Sequence, residues 1–158
     1  MRARHSFLAA VVFGGAVAGI VDIGAASAIN GFVAPLRICK FIAGGMIGLK
    51  AARAGGIEIA ALGLVLQVGM GILIALVYNI GASLLPILRR HWLSAGLAFG
   101  VPVFIVMTYV VLPLSAIGGG IPAFTATQAM NLVAMLLFGA IVAWFARVKP
   151  EAAAIAAA

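Results

Sequence analysis

Residues 6–29 read Ser-Phe-Leu-Ala-Ala-Val-Val-Phe-Gly-Gly-Ala-Val-Ala-Gly-Ile-Val-Asp-Ile-Gly-Ala-Ala-Ser-Ala-Ile, a run whose single charge is Asp22. At about 1.5 Å of rise per residue, a helix of this run crosses a bilayer core of about 30 Å. Three more runs have the same character: 57–85, 92–114 and 123–146. Glu58, at the very start of the second, is the only acidic residue among those three. The sequence therefore predicts an all-α, polytopic membrane protein with four transmembrane helices.

Composition agrees. Of 158 residues, 66% are apolar and 8% charged, and the mean hydropathy is +1.30. Soluble domains are roughly 45–50% apolar. So few charges cannot cover a water-facing surface, which excludes a soluble enzyme. The length gives one domain over 1–150, followed by an Ala-rich tail at 151–158. The start of the chain also imitates a secretory signal, with a basic Met-Arg-Ala-Arg, an apolar core and a small-residue exit at 26–28. Asp22 interrupts that apolar core, so the uncleaved first span is preferred.

Residues 35–53 are different. Arg37 and Lys40 stand at one end, Lys50 and Arg53 at the other, around an apolar middle. On a helix these four charges spread over about half the circumference. That pattern predicts an interfacial helix, or a re-entrant turn broken at Gly44-Gly45, between the first two spans. Arg37, Lys40, Lys50, Arg53, Arg89 and Arg90 are expected to contact lipid headgroups, and Trp92 and Trp144 to sit in the interfacial belt. With four spans, one side carries six basic residues (Arg2, Arg4, Arg89, Arg90, Arg147, Lys149) and the other four. The bias favours a bacterial inner (cytoplasmic) membrane protein with both termini in the cytoplasm. A fifth span over 35–53 would reverse that orientation.

The polar residues inside the spans are few. Asp22 is costly in hydrocarbon, about 2.5–3.5 kcal/mol on insertion scales, and needs a partner, water or a proton. Gln67 lies in the second span with Gly63, Gly71 and Tyr78 at helical spacing. The third span carries Thr108 and Tyr109, and the fourth carries Gln128 and Asn131. These six (Asp22, Gln67, Thr108, Tyr109, Gln128, Asn131) are expected either to meet as one polar cluster or to act as interhelical hydrogen-bond glue. Gly15 and Gly19, Gly63 and Gly71, and Gly96 and Gly100 supply small faces for helix packing. Pro102 should bend the third span.

Several chemistries find no support. A lone Cys39 makes no intramolecular disulfide or Cys-rich metal site. His5 and His91 at the span ends are too few for zinc and too interfacial for axial haem ligands. No Ser-His-Asp set can be assembled. Gly118–Gly120 have neither the strand before them nor the Lys-Ser/Thr after them that a phosphate loop needs. No basic face interleaved with exposed aromatics indicates nucleic acid. The expectation is a protein that is not an enzyme, with no cofactor and no metal.

Four runs carry a resemblance: Gly-Gly-Ala-Val-Ala-Gly-Ile-Val-Asp-Ile (14–23), Ile-Ala-Gly-Gly-Met-Ile-Gly (42–48), Ala-Leu-Gly-Leu (61–64) and Val-Val-Leu-Pro-Leu-Ser (110–115). With them the chain resembles a group of four-helix bacterial inner-membrane proteins that have no assigned activity. In that group a histidine often occupies the position of Gln67. The resemblance implies the architecture and no mechanism. Two functions follow from the residues. The first is an accessory or structural subunit, packing through its Gly-rich faces against itself or other membrane subunits. The alternative is a small oligomeric proton- or ion-linked transporter that uses Asp22 within the membrane.

Overall fold

A computed structural model of the chain describes residues 2–118 and 122–147. Among these residues there is no strand. The elements are α1 (Arg2–Ile29), α2 (Pro35–Ile47), α3 (Leu49–Ala54), α4 (Ile57–Leu84), α5 (Ile87–Arg90) and α6 (Trp92–Val106). A π-helical turn (Met107–Val111), α7 (Leu112–Leu114) and α8 (Ala126–Arg147) complete the described chain. Four segments are long and apolar enough to cross a membrane: Phe7–Ile29, Ile57–Leu84, Trp92–Leu114 and Ala126–Arg147. The tail at 151–158 lies outside the described residues.

Local chemistry sets the boundaries. α4 stops at Leu84 because Pro86 follows two residues on, and the residue before a proline avoids helical geometry. α8 starts at Ala126 rather than 123. The Thr125 hydroxyl accepts the Gln128 backbone N–H at 3.4 Å, so Ala123 and Phe124 stay outside the helix. The third span is continuous through its π turn, in which the Leu112 N–H donates to the Met107 carbonyl. Pro113 lies two residues past its end, and its ring crowds the Tyr109 carbonyl within the turn, a known cause of helix irregularity.

The segment between the first two long helices corrects one expectation. Its break falls at Gly48, not at Gly44-Gly45. Gly48 has φ +85°, a conformation that side chains disfavour. Gly44 instead stays helical and buried, where a Cβ would come within 3.0 Å of Leu49 Cδ2 and 3.5 Å of Ala52 Cβ. The missing side chain lets α3 fold back on α2. Lys40 Nζ closes this corner by donating to the Gly55 carbonyl at 2.7 Å. The Ala116 N–H donates to the Gly45 carbonyl at 2.8 Å, tying α2 to the loop after the third span.

Glycines determine how the long helices pair. A Cβ on Gly15 would strike Ile72 Cα and one on Gly71 would strike the Gly15 carbonyl, while one on Gly19 would lie 3.2 Å from the Gln67 carbonyl. The register runs backwards, 15 with 71–72 and 19 with 67, so α1 and α4 are antiparallel. The chain between them therefore returns to the end of the bundle that it left. α6 and α8 form a second antiparallel pair. A Cβ on Gly96 would sit 2.7 Å from the Gly139 carbonyl, and one on Gly100 would strike the Met135 carbonyl. α1 packs on α8, where Gly14 admits Phe145. Ala18, Ala75, Tyr78, Phe138, Val142 and Ala143 fill the shared core. Outward positions such as Phe13, Ile20, Val65, Leu73, Ile105 and Leu137 remain exposed. In a membrane that apolar surface faces lipid.

Adding a methyl at Gly100 should therefore cost about 1–3 kcal/mol, the usual cost of overpacking. A Cβ at Gly69 would have nothing within 4 Å, so alanine there should be neutral or slightly stabilising. Thermal unfolding of Gly100→Ala and Gly69→Ala in one detergent checks the contrast. Equal midpoints would mean that α6 and α8 do not approach this closely.

Candidate membrane cleft

Asp22 sits on the inner face of α1, about 10 Å along the helix from its end at Ile29 by the standard rise. Gln67 lies about 15 Å into α4 on the same measure. The antiparallel register set by Gly15, Gly19 and Gly71 brings them together. Gln67 Nε2 donates to Asp22 Oδ2 at 2.7 Å and reaches the Gly19 carbonyl at 3.4 Å. Gly19 thus does two things: its bare Cα admits α4, and its carbonyl helps to hold the Gln67 amide.

This pair forms the inner end of a partly open cleft of about 680 Å³. Ligand pockets are commonly about 300–1,000 Å³. The cleft lies between α1, α2 and α4, with Asn131 contributed by α8. Ile23, Ile38, Phe41, Ile42 and Leu49 give it apolar walls. Arg37, Lys40 and Arg53 line it from α2 and α3, and Asn30 from the turn after α1. Arg37 and Lys40 are three residues apart and so share a helix face. Gly63 makes the approach of α2 to α4 possible, since a Cβ there would strike the Cys39 carbonyl. A left-handed turn at Gly31 and Phe32 (φ 78° and 59°) leads the chain from α1 to Pro35, the first residue of α2. Ser27 Oγ donates to the Val33 carbonyl at 2.5 Å and fixes this turn.

The six polar residues expected within the spans divide. Asp22 and Gln67 bond directly, and Asn131 lines the same cleft. Thr108 is buried in the π turn, Tyr109 makes an edge-to-face contact with Phe104 at 6.1 Å, and Gln128 stands in the first turn of α8 with a buried Oε1 that has no partner among the described residues. None of those three lines the cleft. Thr108 and Tyr109 lie in the third span, which supplies no lining residue, and Gln128 stands one turn before Asn131 on α8. The six basic residues divide too. Arg37, Lys40 and Arg53 line the cleft, Lys50 is exposed beside it, and Arg89 and Arg90 lie in α5 at the opposite end of the bundle. The six glycines lie at contacts within the chain: Gly15, Gly19 and Gly71 between α1 and α4, Gly63 between α4 and α2, Gly96 and Gly100 between α6 and α8.

Sequence reading missed three features. Gly139 receives α6, since a Cβ there would strike the Gly96 carbonyl. Asn79 is buried and donates to the Ala75 carbonyl at 2.8 Å. At the end opposite the cleft, the Arg147 guanidinium lies 3.3 Å from the Trp144 ring centroid and 4.7 Å from that of Trp92, a cation–π arrangement. Arg147 in the last turn of α8 beside two tryptophans was the available signal. Among the described residues no group of three or more His, Cys, Asp or Glu could hold a metal ion.

A cleft that admits water gives a direct expectation. Cys39 is buried, and that burial pushes its thiol pKa up, so it reacts poorly. In a Cys39→Ala background, Ala26→Cys on the cleft wall should react with a charged, membrane-impermeant thiol reagent within about tenfold of the rate of Asn30→Cys, since both thiols then meet water. Ala75→Cys, in the sealed core, should stay unlabelled. If Ala26→Cys reacts as slowly as Ala75→Cys, the cleft is closed to water. Comparison with protein families, with curated proteins and with solved structures finds no match, so the assignment of function rests on this geometry.

Proposed function

We propose that the protein is a small, proton-linked carrier of the bacterial inner membrane, in which the cleft admits protons, with or without solute, to Asp22 part-way along the bundle. The observation that carries this reading is the position of the Asp22–Gln67 pair at the inner end of a cleft of about 680 Å³ that basic side chains also line. A carboxylate inside a span is a functional suspect by default. Here it has an amide partner and an adjoining cavity. The two long helix pairs offer a means of motion, because the cleft is lined mainly from α1, α2 and α3 while the third span, though continuous, carries Pro102 and a π turn. The reading keeps both chain ends cytoplasmic and puts α2 and α3 at the opposite interface.

The accessory-subunit reading needs free glycine faces. The contacts of Gly15, Gly19, Gly63, Gly71, Gly96 and Gly100 are internal, so these faces are not open to a second protein, and the motive for that reading weakens. The lining residues of the cleft named above all come from one chain.

Proton entry into proteoliposomes tests the carrier. Vesicles loaded with a pH-sensitive dye and given an inside-negative potential should acidify faster with the protein than without it. Asp22→Asn preserves shape and can still accept the Gln67 hydrogen bond, yet it cannot carry the charge. Its rate should fall at least about tenfold, equivalent to a barrier raised by about 1.4 kcal/mol. A mutant rate equal to that of the natural chain, or no protein-dependent flux, would sink the proposal.

A further inference from the structure

The cleft is chemically two-ended. Its inner end has a carboxylate, Asp22, whose one side-chain hydrogen bond among the described residues comes from Gln67. Elsewhere it is lined by three cationic side chains, Arg37, Lys40 and Arg53. Glu58, the other acidic residue near this end, does not line the cleft; its Oε1 accepts the Gly56 N–H at 2.7 Å. Lys40 spends one donor on the Gly55 carbonyl and keeps two. The Arg37 and Arg53 guanidinium groups have five donors each and suit the paired oxygens of a phosphate or carboxylate. The rest of the lining is mainly apolar (Ile23, Ala26, Val33, Ile38, Phe41, Ile42 and Leu49), with the neutral amides of Asn30 and Asn131.

A simple anion would satisfy the cationic lining and leave Asp22 facing like charge. A simple cation would satisfy Asp22 and be repelled by three positive side chains. A molecule that carries both charges satisfies both ends. Resting on the carrier reading, we propose that the cleft binds a zwitterion: an ammonium group against Asp22 and Gln67, and a phosphate or carboxylate against Arg37, Lys40 and Arg53. The phosphoethanolamine group has this chemistry. It reaches the cleft either as the headgroup of a phospholipid, with its acyl chains outside in the bilayer, or as a free water-soluble zwitterion.

Native mass spectrometry of the full-length protein, delipidated in detergent, tests the two ends separately. The probes are phosphatidylethanolamine, phosphatidylglycerol (the anion without the ammonium) and glycerophosphoethanolamine (the headgroup without acyl chains). Retention of phosphatidylethanolamine should exceed that of phosphatidylglycerol by about tenfold, the worth of one charge-assisted hydrogen bond. Asp22→Asn should abolish that preference, weakening phosphatidylethanolamine, which loses its ammonium partner, and strengthening phosphatidylglycerol, which no longer faces a like charge. The pair Arg37→Gln and Arg53→Gln should weaken both lipids. Glycerophosphoethanolamine binding with the same dependence on Asp22 would identify a soluble zwitterion as the ligand; binding of the intact lipid alone would identify a lipid.

Equal retention of the two lipids, or a preference that survives Asp22→Asn, would overturn the proposal. So would a lack of binding by all three probes. If Ala26→Cys still labels from water in that case, the zwitterion fails while the open cleft stands. If it does not label, both fall. Circular dichroism of each variant separates lost binding from lost folding.

Discussion

Backbone-to-backbone contact at glycine is the constraint on which the rest of this molecule depends. Inside a membrane, burying apolar surface does not drive helices together, because lipid is as apolar as leucine. What remains is van der Waals contact, which needs close approach. Gly15 and Gly71 let α1 and α4 touch, and Gly96, Gly100 and Gly139 let α6 and α8 touch. A Cβ at any of these five positions meets the opposing backbone itself, which cannot move aside as a flexible side chain can. The result is two tight antiparallel pairs joined by the packing of α1 on α8, where Gly14 meets Phe145.

The polar site follows from that register. Asp22 is one turn beyond Gly19, and Gln67 is one turn before Gly71, so in an antiparallel pair locked at Gly15 and Gly71 the two side chains arrive side by side. The 2.7 Å hydrogen bond is therefore a consequence of glycine placement. The same logic opens the cleft. Beyond Asp22 no glycine holds α1 tightly to α4, and α2 is inserted there instead, seated against Gly63. Tight packing toward one end and an intervening helix at the other leave the space between them.

Helix number and extent were legible because hydropathy and length alone decide which segments can cross a bilayer. Runs of apolar residues free of Lys and Arg leave little room for error, and the misplacements are local: Thr125 moves the start of α8 to 126, and Gly48 rather than Gly44 breaks the segment after α1. Both turn on a single conformation or cap that periodicity does not register. The candidate site was legible in its members but not in its grouping. Helical spacing puts Asp22 and Gly19 on one face and Gln67 and Gly71 on another, yet it says nothing about which face meets which. Thr108, Tyr109 and Gln128 are also polar residues of the spans, and they lie on the other helix pair. Likewise, a small-residue face reads the same whether its partner is in the same chain or a different one.

The basic residues of α2 and α3 show why that ambiguity bears on function. Read along the sequence, Arg37, Lys40 and Arg53 are charges at the ends of an interfacial segment, and lipid headgroups are their natural expectation. Folded, the corner at Gly48 turns α3 back, Lys40 donates to Gly55, and all three line the same cleft as Asp22. The two placements are compatible: a side chain at the interface that also lines a cleft can take a headgroup phosphate from the bilayer plane and present it to the protein. What distinguishes a binding cleft from a merely basic rim is the opposite charge at its inner end. Lipid alone gives no reason for a carboxylate to lie about 10 Å inside the end of a membrane helix, where its insertion is costly. A ligand carrying both signs of charge does.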